Sequence, residues 1–270
     1  MTKQKQLGQW FTDSIIADFM TRQTASLWNK NFNKPINEIL EPSCGDGVFL
    51  KALLEYKKNN NLDYNINGIE IDPVYQEQYI DSKDYNVKLG NTLTNDLMSG
   101  CEFWFPNAFK DNKGFDIIIG NPPYNIASQN KSEWILDITR KYKKDLNERN
   151  YKLLSDDYVK FIAMAEHYIN QKGSGILSYI VSNSFLDSVV CRKLRKSLID
   201  SFNEIYIINL HGDLRTKSGG DGDENVFDIM QGVCIFTAIK TNNDEKCDVF
   251  YSELKGSREY KLNTLKNYDF

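Results

Sequence analysis

The run Phe115-Asp116-Ile117-Ile118-Ile119-Gly120-Asn121-Pro122-Pro123-Tyr124 sets a block of apolar residues directly before a polar, proline-stiffened tetrapeptide. Three successive isoleucines without polar alternation predict a strand covered on both faces, the condition of a central strand in a parallel sheet. Gly120 ends it. In open sheets of this kind ligands lie beyond the carboxyl ends of the strands, so residues 121–124 stand where chemistry is expected.

The same alternation continues outward in both directions. Residues 36–40, 66–71 and 87–89 predict strands upstream, and 176–181, 205–210 and 232–239 downstream. Between them apolar residues recur at helical spacing. Ile15, Ile16, Phe19 and Met20 do so behind Thr12 as the expected cap. Val48, Phe49, Ala52, Leu53 and Leu54 do so after a glycine turn, Pro73 opens a further helix, and residues 158–169 carry Phe161, Ile162 and Ala165 on one face. Strands alternating with helices predict an α/β fold, a mostly parallel central sheet with helices on both faces. No linker or repeat divides the chain, so residues 1–270 read as one domain. Residues 137–152, with Arg140, Lys141, Lys143, Lys144, Arg149 and Lys152, read as a charged excursion, and residues 217–223 as a glycine-rich polar loop. Residues 251–270 are polar and predict no closing apolar element, as if the chain were cut short.

Composition removes several classes. No apolar run approaches the ~20 residues of a membrane-spanning helix, and the N-terminus lacks the apolar core of a secretory signal. The cysteines (Cys44, Cys101, Cys191, Cys234, Cys247) are scattered without a CxxC pair, which points to reduced thiols and a cytoplasmic protein. With only His167 and His211 available, no metal site is expected. His167 reads as an ordinary helical residue, and His211 sits at a strand end on the expected substrate side. Trp10, Trp28, Trp104 and Trp134 default to packing. A net charge of −4 argues against coating nucleic acid by charge alone and leaves room for local basic patches. Residues 140–144 and 192–196 are the candidates for phosphate contact, with solvated helix faces as the other reading.

The segment Glu41-Pro42-Ser43-Cys44-Gly45-Asp46-Gly47 follows a strand and opens a helix. Glycines there let a ligand approach the backbone closely. The dinucleotide fingerprint is not met, because Leu50 replaces its third glycine. Glu41 would repel a pyrophosphate and suits a cationic ligand instead. Glu70, at the end of the next strand, is positioned to accept ribose hydroxyls. Amine plus ribose without phosphate describes S-adenosylmethionine; a tight turn beside a solvated acid is the alternative from these residues alone.

With the tetrapeptide added, the chain resembles the amino-methylating DNA methyltransferases, specifically the adenine-N6 group in which the N-terminal motif comes first. Gly8-Gln9-Trp10-Phe11-Thr12 looks like the motif that closes over the methionine end of the cofactor. Residues 41–49 look like the cofactor loop, residues 68–73 like the ribose-binding strand, and Gly90-Asn91-Thr92-Leu93 takes the third motif's place. Asn121-Pro122-Pro123-Tyr124 is similar to the catalytic tetrapeptide. Asn225-Val226-Phe227, followed by Gln231-Gly232-Val233, looks like the late motif whose aromatic faces the target base.

The resemblance implies a Rossmann-like S-adenosylmethionine-dependent methyltransferase fold, with segments 7–30 (cofactor closing), 36–130 (cofactor and catalytic motifs) and 155–240 (target-base half). It implies methyl transfer to the N6 amine of a flipped adenine in DNA, within a restriction–modification system. The catalytic residues are then Asn121, Pro122 and Tyr124, and the target base meets Pro123 and Phe227. The cofactor meets Thr12, Glu41, Cys44, Gly45, Gly47, Glu70, Ile71 and Asn91. Asn91 departs from the family, which commonly has Asp there. Two acceptors, Asn121 Oδ1 and the Pro122 carbonyl, would draw the adenine N–H bonds out of plane so that the lone pair faces the methyl group. The two prolines hold these acceptors stiff. Tyr124 would then stack on the extracted base, with Phe227 touching it from another side, and aromatic stacking of roughly 1–3 kcal/mol per base offsets the cost of flipping.

Members of the group usually carry a target-recognition domain after the late motif, and little sequence follows it here. A recognition subunit or a C-terminal recognition domain outside this chain is therefore expected as a partner, besides DNA. Protein-glutamine or ribosomal-RNA N-methyltransferases share the tetrapeptide, but generally lack the motif around residues 9–12 and the late aromatic. A non-catalytic module of the same fold is the remaining alternative.

Overall fold

Among the described residues, eight strands form one sheet: β1 (Glu38–Glu41), β2 (Asn65–Glu70), β3 (Asn86–Leu89), β4 (Ile117–Gly120), β5 (Gly175–Ser182), β6 (Glu204–His211), β7 (Val233–Lys240) and β8 (Asp248–Glu253). Their order is β3-β2-β1-β4-β5-β7-β6-β8. β7 runs antiparallel to β5 and β6, and every other neighbouring pair is parallel. The computed structural model describes residues 11–79, 82–96, 98–126, 128–148, 150–215, 222–243 and 245–270. Gly8, Gln9 and Trp10 of the N-terminal motif, Arg149 of the charged stretch and residues 217–221 of the glycine-rich loop lie outside them.

The longer helices are α1 (Ser14–Asn31), α2 (Val48–Asn59), α3 (Glu133–Lys143), α4 (Asp157–Lys172), α5 (Arg192–Ser201) and α6 (Arg258–Lys266). α1 packs on α2 and α6, α4 packs on α3 and α5, and both α1 and α4 touch β5. The mostly parallel sheet with its two helical layers is the Rossmann-like architecture expected. Ile117, Ile118 and Ile119 are all buried, which is why β4 carries no polar alternation. No described helix is long and apolar enough to cross a membrane.

At the amino end of β4 a buried charge is fully satisfied. Asp116 Oδ1 lies 2.6 Å from Lys172 Nζ, and its Oδ2 accepts the N–H groups of Asn37 and Glu38 at 2.8 and 3.1 Å. Strand β1, strand β4 and the end of α4 are joined there.

Three expectations need correction. α1 is capped by Asp13, whose carboxylate accepts the Ile15 N–H at 2.9 Å; Thr12 turns its hydroxyl to Asn121 instead. Residues 137–143 are not an excursion but part of α3, with Ile135, Thr139 and Tyr142 buried and the charges outside. The C-terminal segment does close the fold. β8 pairs with β6, Leu265 of α6 is buried, and Tyr268 and Phe270 close on Phe19 at 5.9 and 5.2 Å. Lys261 is wholly buried, its ammonium 2.7 Å from Asp223 and donating to the carbonyls of Leu210 and Glu224. A helix whose inner face is a lysine stem and one leucine escapes a search for apolar periodicity.

Candidate functional site

The carboxyl ends of β1, β2 and β4 converge on a cleft lined by the glycine turn, Glu70, Ile71, Asn91, Asn121 and Pro123. The turn is shaped by its hydrogen bonds. Gly47 N–H donates to the Cys44 carbonyl at 2.7 Å, and Cys44 N–H to Ile69 at 3.0 Å. Gly47 has φ +79°, and a Cβ there would overlap the Tyr79 hydroxyl, which donates to the Gly45 carbonyl at 2.9 Å. Gly120 serves a second close approach: a Cβ on it would strike the Glu41 carboxylate. That carboxylate can therefore lie across the end of β4, beside Asn121.

Glu41 and Glu70 are both buried. Burial, reinforced by Glu70 and Asp46, holds the Glu41 carboxyl well above the ordinary carboxylate range; the Ser43 N–H, 3.3 Å from Oε1, opposes it. Glu70 is raised by burial too, and opposed by the N–H groups of Gly45 and Asp72, each 2.7 Å from a carboxylate oxygen. The Ile71 N–H adds a third backbone donor to Glu70, and a carboxylate's roughly four lone-pair sites still leave room for a further donor. Among the described residues, no Lys, Arg or His forms an ion pair with either acid, and no group of three or more His, Cys, Asp or Glu residues could hold a metal ion. Burial also raises the Cys44 thiol well above its ordinary value, with Glu41 and Glu70 adding to it. Cys44 lines the cleft as a neutral thiol, not as a nucleophile.

Asn121 stands at the lip. Its Nδ2 donates to Thr12 Oγ1 at 3.1 Å, and its Oδ1 accepts from the Tyr124 hydroxyl at 2.9 Å. The same hydroxyl lies 3.0 Å from the Ile180 carbonyl, and the Tyr124 ring sits 6.2 Å from that of Tyr158. Tyr124 is thus buried beneath the tetrapeptide and braces the Asn121 amide, where sequence placed it as a stacking platform. Phe227 is likewise only 4% exposed, its N–H bonded to Asn225 Oδ1. Neither ring lies among the described residues that line the cleft. Thr12, Glu41, Cys44, Gly45, Glu70, Ile71, Asn91, Asn121 and Pro123 are brought together there; Pro122, Tyr124, Gly47 and Phe227 stand behind or away from it.

Asn91 is engaged on both sides. Its Oδ1 accepts the Leu93 N–H at 3.0 Å, and its Nδ2 donates to Asn130 Oδ1 at 2.8 Å. Residues not assigned to the cofactor from sequence complete the wall. Phe11 and Tyr75 meet edge to face at 6.5 Å, and Asn125, Gln129, Asn130, Asp157 and Phe161 line the side nearest α4. The first turn of α4 carried a legible signal, the paired Asp156-Asp157 before a helical stretch; the loop residues 125–130 carried none.

The sequence profile of a family described as Eco57I restriction-modification methylase matches residues 19–215. Among curated relatives, the Type II methyltransferase M.BstVI of Geobacillus stearothermophilus is 29% identical over 227 residues, 76% of this chain and 38% of its own length. The chain thus spans well under half of that relative. A nuclease-deletion mutant of the Type ISP restriction-modification enzyme LlaGI, in complex with a DNA substrate mimic, superposes with a TM-score of 0.78 at 23% identity, over 96% of this chain and 25% of that one. The type I restriction-modification methyltransferase subunit of Streptococcus thermophilus gives 0.59 at 16% identity, over 98% of this chain and 56% of that one. These two likenesses establish the fold.

Proposed function

The chain belongs to the Eco57I restriction-modification methylase family, and from that premise we propose that residues 1–270 carry the methyltransferase part of a restriction–modification enzyme. The donor is S-adenosylmethionine and the acceptor the N6 amine of an adenine flipped out of DNA. The observation that carries this reading is the meeting of two chemistries in one cleft. Glu41 and Glu70 are buried with no described cation paired to them, and the Asn121 amide stands at the lip of the same space.

The residues fit the cofactor. A positively charged amino-acid end suits the unneutralised Glu41, and ribose hydroxyls suit the spare lone pairs of Glu70. The adenine ring suits the apolar wall of Ile71, Tyr75 and Phe161. When bound, the cofactor supplies an electrophilic methyl group on a sulfonium. The protein's own part is orientation. Thr12 and Tyr124 fix the Asn121 amide from two sides, so an amine entering at the lip meets an acceptor already aimed. Preorganised acceptors of this kind act without reorganisation in the transition state. Holding the amine in line supplies much of the remaining rate. No residue needs to form a covalent intermediate, which agrees with the buried Cys44 thiol, raised well above its ordinary value by burial.

The buried Tyr124 and Phe227 bear on the base half of the reading. Contact of either ring with a flipped adenine requires the surrounding structure to shift when DNA binds, a rearrangement on binding of the kind seen in a substantial minority of complexes. DNA recognition is assigned to a further domain or subunit, because the curated relative is much longer than the stretch matched.

The test is incubation of the chain with methyl-labelled S-adenosylmethionine and, separately, duplex DNA, ribosomal RNA and protein acceptors, followed by digestion and mass spectrometry. Weak formation of N6-methyladenine in DNA, strengthened by an added recognition module, is expected. Label in glutamine or RNA with none in DNA would overturn the assignment.

A further inference from the structure

We propose that Asn130, held by Asp157 and Lys160, is a positioning residue that locks the loop bearing Asn121 onto the cofactor side of the cleft through Asn91. The proposal rests on the methyltransferase reading and deepens it. Asn130 Oδ1 accepts from Asn91 Nδ2 at 2.8 Å, while Asn130 Nδ2 donates to Asp157 Oδ1 at 2.9 Å. A carboxylate only accepts, so it orients the whole relay. The Asn130 amide must face Asp157 with its nitrogen, which turns its oxygen to Asn91. Asn91 must then answer with its own nitrogen, leaving its oxygen for the Leu93 N–H.

The grip on the loop extends further. Ser128 donates its hydroxyl to Asp157 Oδ1, and Lys160 Nζ donates to Ser128 Oγ and to the Asn130 carbonyl. Asp156 Oδ1 accepts the Asn125 N–H at 2.8 Å, and the Asp157 N–H donates to the Asn125 carbonyl at 3.3 Å. The first turn of α4 therefore holds the loop at positions 125, 128 and 130. Asp157 and Lys160 are each 3% exposed, and in such a buried network a single lost partner strands its neighbours. Burial lowers the Lys160 ammonium pKa, and Asp157 opposes that shift. The relay also accounts for Asn at position 91, where the family resemblance leads one to expect Asp. A carboxylate there would face Asn130 Oδ1, and turning the Asn130 amide would set that oxygen against Asp157.

Reversing the polarity of the relay tests this. Asn91→Asp, Asp157→Asn, their double variant and Asn130→Ala are made in the full chain, and S-adenosylmethionine affinity is measured by calorimetry alongside thermal melting. Asn91→Asp and Asn130→Ala should each weaken binding about tenfold, the worth of one stranded hydrogen bond. The double variant should recover most of the loss, because Asn130 can then turn over and bond both neighbours again. Unchanged affinity in Asn91→Asp, or a double variant no better than Asn91→Asp, would overturn the relay. Asn130→Ala, a half-buried side chain, decides the matter on its own should Asp157→Asn fail to fold: parent-like affinity there sinks the proposal. A parent chain that binds S-adenosylmethionine while the variants match it removes the relay and leaves the function standing; a parent that does not bind removes both.

Discussion

The two ends of the sheet treat buried acid in opposite ways. At the amino end of β4, Asp116 is matched by the Lys172 ammonium and two backbone N–H groups. At the carboxyl end, Glu41 and Glu70 share a cleft in which backbone N–H groups are their described donors and, among the described residues, no cation pairs with them. A buried carboxylate without a counter-ion is destabilising by several kcal/mol. Asp116 therefore belongs to the fold, whereas on the proposed reading Glu41 awaits the cofactor's ammonium group and Glu70 its ribose hydroxyls.

That contrast can be broken from either end. The largest effect is expected from Lys172→Met, which takes the close 2.6 Å partner from buried Asp116 and leaves it only the exposed Lys34 ammonium at 3.9 Å. It should cost about 3–5 kcal/mol in chemical denaturation while leaving the S-adenosylmethionine affinity of the folded fraction unchanged. A melting curve like the parent's would dissolve the distinction. Next comes Asn121→Ala. Methyl transfer should fall between about a hundredfold and a thousandfold, the usual worth of one preorganised group at a reacting atom, with cofactor affinity within about threefold. Single-turnover transfer and calorimetry on the same sample separate the two effects.

A third outcome concerns pH at the carboxyl end. Burial raises the Asp156 carboxyl to about 6, opposed by the N–H groups of Asn125 and Tyr158. Its folded pKa lies above the unfolded one, so its contribution to stability is complete below pH ~3.8 and is lost as pH rises through about 6. Asp156→Asn retains an oxygen for the Asn125 N–H and escapes the loss. Relative to the parent it should gain stability between pH 4 and 7, by at most about 3 kcal/mol; urea melts at several pH values would reveal parallel curves if this is wrong. The smallest effect is expected from Glu41→Gln. Cofactor affinity should weaken about tenfold while thermal stability stays level or rises, the reverse of Lys172→Met. A clear loss of stability would make Glu41 a structural acid like Asp116.

The central sheet was readable because its strands are buried on both faces: Ile117, Ile118 and Ile119 announce themselves without any partner. The glycine turn and the acids after β1 and β2 were readable because close backbone approach and a cationic ligand demand particular residue types. What escaped was set by tertiary contact. β8 is exposed along its length and α6 turns a lysine inward, so neither shows an apolar rhythm. Tyr124 and Phe227 are aromatic at the expected positions, yet sequence could not tell a ring packed in the core from one offered to a base. Asn130 meets both Asn91 and Asp157 only because α4 folds back over the loop, a separation along the chain that no local pattern records.

The most direct measurement is a crystal structure of the chain with sinefungin, which carries a charged amine where the transferable methyl group would stand. The amine should lie beside the Asn121 amide, with the ribose hydroxyls on Glu70 and the adenine between Ile71 and Phe161. A ligand lodged away from the carboxyl end of β4, or one that leaves no room for a purine next to Asn121, would contradict the account.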